Sequence, residues 1–141
     1  MNSDFKDLLK IFDDKKVKYL VIGGYAVAKH AEPRYTKDID LWISNNRENA
    51  EKVYSALEKF GAPLNNITVE DFTIPTVVFQ IGIEPSRIDI LMGLKDLDFE
   101  TCWERKATAR IGEIEIHFIS LDDLIFNKKL AGRPQDLRDV E

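Results

Sequence analysis

The chain has 141 residues, 44% of them hydrophobic and 32% charged, which is the make-up of a single folded domain over residues 1–141. Its formal net charge of −5 argues against broad, sequence-independent binding to long nucleic-acid duplexes, where basic charge supplies the affinity. No apolar run approaches the roughly 18 residues of a membrane span, the charged N-terminus MNSDFKDLLKIFDDKK is not a signal peptide, and the single cysteine, Cys102, excludes a disulfide framework and favours the cytoplasm.

In chain order, Phe5, Leu8, Leu9 and Phe12 recur at helical spacing and predict a helix over 4–14. Residues 17–22 are apolar and β-branched and stop at Gly23-Gly24, which predicts a strand. A short helix over 25–30 begins at the glycines, Pro33 marks a turn, and a second strand over 37–43 carries Asp38 and Asp40. Ser44 or Asn45 is placed to cap a helix over 47–60 that Gly61 ends. Residues 65–75 read as loop with a short extended piece. Strands over 76–82 and 87–91 flank a link containing Pro85 that is short enough for a hairpin.

A helix over 98–106 holds Cys102, which reads as a buried or half-buried helix position rather than a reactive thiol. Strands over 108–111 and 113–119 form a second hairpin around Gly112, with Ile114, Ile116 and Phe118 alternating against Glu113, Glu115 and His117. Ser120, with Asp123 in the capping-box position, starts a helix to about 131. Gly132-Arg133-Pro134 breaks it, and a last helical pattern from Gln135 is still running at Glu141, which leaves a continuation of the natural chain open. The order is that of an α+β fold, a small mixed sheet with helices at both ends.

Side chains two apart in a strand share a face, so Asp38 and Asp40 project together while Ile39, Leu41 and Ile43 point toward a core. Adjacent carboxylates repel, and the pair is costly unless a cation lies between them. Oxygen-only ligands suit Mg²⁺ or Mn²⁺ rather than zinc. Asp89 interrupts the β-branched run RIDIL, faces away from the inward-packing Ile88 and Ile90, and is the candidate third carboxylate. Three carboxylates suffice for two cations about 3.5–4 Å apart, one activating a hydroxyl and one escorting a triphosphate. Gly23 and Gly24 offer bare backbone at a helix N-terminus, where phosphate binds.

Each part also has a plain structural reading: a tight turn, an exposed acidic sheet face, an Asp89 that pairs with Lys37 or Arg87. Their joint occurrence in this order points to a metal–nucleotide site. Trp42 shares the acidic face and is placed to stack on a base or to pack under a neighbouring helix.

These residues resemble the DNA polymerase β-like nucleotidyltransferase superfamily, whose pattern is a Gly-Gly or Gly-Ser turn, an Asp-x-Asp pair and a later strand-borne acidic residue. The segments GGYAVAKHAEPRYTKDIDLWI, PSRIDIL and NKKLAGRPQDLRDVE are similar to small bacterial and archaeal members related to the AbiEii toxin group. The resemblance implies a minimal nucleotidyltransferase fold that moves a nucleoside monophosphate from an NTP to a hydroxyl and releases pyrophosphate. It implies that Asp38, Asp40 and Asp89 are catalytic ligands to Mg²⁺ or Mn²⁺, two ions in all, with Asp89 nearest the activated hydroxyl. It places Gly23, Gly24, Arg34 and Thr36 at the nucleotide phosphates. Lys128 and Arg133 match a C-terminal K-x-x-x-G-R-x-x-D pattern and would reach the triphosphate, oriented by Asp136 and Asp139.

The acceptor stays open among an RNA 3′ end, with tRNA favoured, a protein hydroxyl and a small molecule such as an aminoglycoside. A toxin–antitoxin setting would add a cognate antitoxin as partner. The chain lacks the Gly-Ser turn with its Arg-Gly-Glu continuation found in antitoxins that modify HEPN partners, so such a partner is not expected. Two competing readings are a non-catalytic nucleotide-binding regulatory module and an antitoxin-like interaction protein whose acidic strand face meets a basic partner.

Overall fold

The periodic apolar positions near the N-terminus do form a helix: α1 runs Ser3–Asp14 and buries Phe5, Leu8, Leu9 and Phe12 on one stripe. The structure is a computed structural model that describes residues 3–23, 38–82 and 87–131, with side chains as far as 127. The helices expected over 25–30 and from Gln135, and the link 83–86, lie outside the described residues.

Strand β1 (Tyr19–Ile22) is followed by β2 (Ile39–Ile43), helix α2 (Arg47–Phe60), a 3₁₀ turn (Val69–Thr73), and strands β3 (Val78–Ile81) and β4 (Ile88–Leu91). Helix α3 (Phe99–Glu104), the hairpin β5 (Ala107–Ile111) and β6 (Ile114–Phe118), and α4 (Leu121–Ala131) complete the described order. The six strands form one mixed sheet, β3-β4-β2-β1-β6-β5. The two hairpins and the β1/β2 pair are antiparallel, whereas β2/β4 and β1/β6 are parallel. This is the α+β architecture expected, with helices flanking a small mixed sheet.

Both faces of β2 are covered at its Trp42 end, which the alternation of its sequence does not disclose. Ile39, Leu41 and Ile43 are buried on one face. On the other, Trp42 is only 2% exposed and meets Phe99, the first residue of α3, edge to face with centroids 5.1 Å apart. Trp42 therefore packs under a helix, while Asp40 on the same face stays half-buried.

Helix α2 is capped by Asn46, just past the expected Ser44 or Asn45; its side chain accepts from the Asn49 N–H at 2.8 Å. Ser44 is still tied to the sheet, its N–H donating to the Lys18 carbonyl at 3.3 Å, and Asn45 donates its amide to the Met92 carbonyl at 2.8 Å. Residues 69–73, expected as loop, form the 3₁₀ turn. A turn this short has no apolar period to read, and its single anchor is Phe72, buried against Tyr54 and Phe79.

One buried polar residue stitches these elements together. Asn49, 4% exposed, accepts from the Lys18 N–H at 2.8 Å and donates to the carbonyls of Lys18 at 3.1 Å and Ser44 at 2.7 Å. It thereby ties α2 to the start of β1 and the end of β2, and all of its bonding groups are used. Asn49→Leu removes three hydrogen bonds, leaving the Lys18 carbonyl only its bond from the Ser44 N–H, and is expected to cost about 2–3 kcal/mol in urea unfolding. A loss under about 0.5 kcal/mol would mean that water replaces the amide there without penalty.

Candidate active site

Register is what assembles the site. The antiparallel β1/β2 ladder sets Ile22 opposite Asp40, the parallel β2/β4 ladder sets Asp40 opposite Asp89, and the β3/β4 ladder sets Gln80 opposite Asp89. Residues directly opposite one another share a face, so Ile22, Asp40, Asp89 and Gln80 form one row across four strands. Gly23 follows Ile22 with φ +71°, and a Cβ built there would collide with Asp40 Oδ2 and lie 3.2 Å from Asp40 Cγ. Glycine is required twice over, for the left-handed backbone and for the closeness of the carboxylate.

Asp38 stands at the entrance to β2. Its Oδ1 accepts from the Arg87 N–H at 3.3 Å, and its Oδ2 lies 3.6 Å from Arg87 Nη2. The same guanidinium forks onto Asp89, Nε to Oδ1 at 2.9 Å and Nη2 to Oδ2 at 3.2 Å. Asp89 is 8% exposed, so it is buried where the sequence pattern placed it facing away from the core. The fork on it explains how a carboxylate is tolerated there.

Among the described residues one guanidinium faces three carboxylates, and the excess charge shows at Asp40. Its carboxyl is pushed up to about 6, first by burial, then by the charge of Asp89 and the hydrogen bond to it, then by Asp38, with Arg87 pulling the other way. Among the described residues no group of three or more Asp, Glu, His or Cys side chains stands arranged as a metal cage. Asp38 and Asp89 are turned onto the guanidinium instead. The donor set nevertheless suits a hard divalent cation, being oxygen only and crowded enough to hold one carboxyl well above its ordinary range.

Of the residues singled out from sequence, Gly23, Asp38, Asp40 and Asp89 come together. Gly24, Arg34, Thr36 and Arg133 lie outside the described residues, as do Asp136 and Asp139, and Lys128 is described only as backbone within α4. The sequence pattern offers Arg87 only as a pairing partner for Asp89. The signal for a larger role was its place two residues before Asp89 in a strand, on the same face.

Cys102 bears out its bland reading. It is buried, and burial followed by the nearby charge of Asp123 pushes its thiol up to about 11. Asp123 takes the capping-box position of α4 as the sequence suggests, its N–H donating to the Oγ of the capping Ser120 at 3.2 Å. Its carboxylate also takes a fork from Arg105, at 3.1 and 2.7 Å.

A family model described as "Nucleotidyltransferase of unknown function (DUF6036)" matches residues 2–141. A search of curated proteins gives no match. Among solved structures, a Thermotoga maritima protein described as a nucleotidyltransferase (TM1012) shares 16% identity over 95% of this chain and 86% of its own, with a TM-score of 0.64. The lincosamide antibiotic adenylyltransferase LnuA, with lincomycin bound, shares 20% identity over 99% of this chain and 94% of its own, TM-score 0.64. The antibiotic-resistance enzyme ANT(2″)-Ia, in complex with adenylyl-2″-tobramycin, shares 13% identity over 96% of this chain and 83% of its own, TM-score 0.60. At these identities the likeness is one of fold.

Proposed function

The chain belongs to this nucleotidyltransferase family, and from that premise we propose that it moves a nucleoside monophosphate from an NTP to a hydroxyl at the cluster of Gly23, Asp38, Asp40 and Asp89. The observation that carries the placement is the approach of Gly23 to Asp40. A turn with no room for a side chain presses bare backbone against a carboxylate that is itself in register with a second carboxylate.

Asp38, Asp40 and Asp89 would hold Mg²⁺ or Mn²⁺, two ions, which when bound neutralise charge on the triphosphate and ease ionisation of the acceptor hydroxyl. The chain's own residues do the positioning. Gly23, having no side chain, would offer its backbone N–H to phosphate. Asp40 and Asp89 are set side by side by a strand ladder, so their backbones need no rearrangement when substrate arrives. Asp89 takes the proton of the acceptor hydroxyl at a carboxylate oxygen. The hydroxyl oxygen then bonds to the α-phosphorus as the bond to the β-phosphate oxygen breaks, and pyrophosphate leaves. Gly24, Arg34, Thr36, Lys128 and Arg133 are the remaining proposed contacts to the nucleotide.

The acceptor we place first is a hydroxyl on a small polar molecule. Two neighbours in fold carry an antibiotic, or its adenylylated form, in their structures, and a net charge of −5 disfavours a long RNA. The resemblance to the AbiEii toxin group supports the second reading, an RNA 3′ end such as that of tRNA, with a cognate antitoxin as partner. Incubating the protein with each α-labelled NTP, Mg²⁺ or Mn²⁺, and separate pools of small hydroxyl compounds, RNA and protein distinguishes them. Label is expected in one pool and absent with Asp38→Ala/Asp40→Ala. Wild-type protein that labels nothing in any pool would sink the transfer reading.

A further inference from the structure

The position of Arg87 goes beyond a supporting ion pair. We infer that Arg87 is the stand-in cation of this site, holding Asp38 and Asp89 until divalent cations displace it, so that its fork sets how tightly the site takes metal. The inference rests on the reading of Asp38, Asp40 and Asp89 as metal ligands.

Three observations carry it. First, the guanidinium reaches two carboxylates from different parts of the chain, at 3.6 Å from Asp38 at the entrance to β2 and 2.9 Å from Asp89 on β4. Those are two of the three groups a cation would use, and a carboxylate oxygen turned onto a fork is not turned onto an ion. Second, the side chain is 32% exposed, so it has a way out to water, while the buried Asp89 carboxylate it releases needs the arriving cation in its place. Third, the strands do not depend on it. The Arg87 N–H still donates to Asp38 Oδ1 at 3.3 Å, and the Ile39 N–H donates to the Arg87 carbonyl at 3.1 Å, so the ladder that aligns Asp40 with Asp89 survives the swing. A guanidinium keeps its proton at any working pH, so only a competing cation can relieve it of its partners.

The test measures Mn²⁺ alone, without nucleotide, by titration calorimetry on wild type, Arg87→Gln and Arg87→Lys, with Asp40→Ala marking the site. Arg87→Gln is expected to bind Mn²⁺ roughly ten-fold tighter, the size of one charge-assisted pair that no longer has to be broken. Arg87→Lys, which keeps the charge, loses the fork and disturbs folding least, is expected to bind a few-fold tighter. Both variants should melt below wild type in EDTA and with it at saturating Mn²⁺, because the pair is absent from the loaded state.

Equal Mn²⁺ affinity in all three proteins, or a melting deficit unchanged by saturating Mn²⁺, would make Arg87 a structural partner only. Arg87→Lys at the wild-type affinity would reduce the effect to long-range charge and overturn displacement. Each of those results leaves the metal site standing. Failure of wild type and both variants to bind Mn²⁺ would overturn the metal reading itself, and this inference with it.

Discussion

Asp40→Asn is expected to abolish nucleotide transfer while making the metal-free protein more stable. Transfer should fall at least about a thousand-fold, the order lost when a group acting directly at the reacting phosphate is removed. Stability moves the other way because the Asp40 carboxylate is held against burial and two like charges, with its pKa near 6 in the folded protein against about 3.9 in an unfolded chain. Between those values the folded protein binds more protons than the unfolded one, so stability falls as pH rises from about 4 to about 6 and stays low above that. The asparagine carries no such penalty. Urea unfolding in EDTA should therefore show little difference between the two proteins near pH 4 and an advantage to Asp40→Asn on the order of 1–2 kcal/mol at pH 7. A variant less stable than wild type at pH 7 would mean that Asp40 holds the fold together, and the reading of this carboxylate as a functional cost would fail.

Gly23→Ala should be nearly as damaging to transfer and, unlike Asp40→Asn, should destabilise. The new Cβ meets Asp40 Oδ2 and Cγ at a residue already in the left-handed region. Either Asp40 turns away from Asp89 or the turn opens, and both spoil the alignment of the row. A loss of about 1–3 kcal/mol in stability and a drop of roughly a hundred-fold or more in transfer are expected. Gly61→Ala is the matched control. Gly61 caps α2 with φ +93° and has open space where a Cβ would go, so it should lose about 1 kcal/mol and keep its activity. Because the clash at Gly23 is with one side chain, adding Asp40→Ala to Gly23→Ala should recover the steric share of the loss, leaving only the backbone cost. Strictly additive losses in that double variant would place the damage elsewhere in the turn.

Which residues to suspect was legible locally; how they meet was not. The helical stripe of α1, the stop at Gly23, the acidic pair in an apolar strand, the Ser120 cap and the hairpin β5/β6 all follow from neighbours a few residues apart, where period and capping chemistry act. Asp89 was also legible, as a charge in a run that otherwise wants β-branched side chains. The five residues of the 3₁₀ turn were not, because a single buried phenylalanine sets no period. Nor was the role of Asn49, whose three partners lie on segments that the chain brings together only after folding.

By itself the sequence determined the kinds of group in the site, a bare glycine turn and three carboxylates, and a fold of mixed strands with flanking helices. Only the tertiary structure decided that β2 and β4 run parallel in the register that sets Asp40 against Asp89, that both faces of β2 are covered at its Trp42 end, and that Arg87 sits between Asp38 and Asp89. The physical reason is range. Propensity and periodicity are properties of adjacent residues, whereas strand register and the crowding of like charges arise between residues far apart in the chain, and a one-residue slip would send Asp40 and Asp89 to opposite faces.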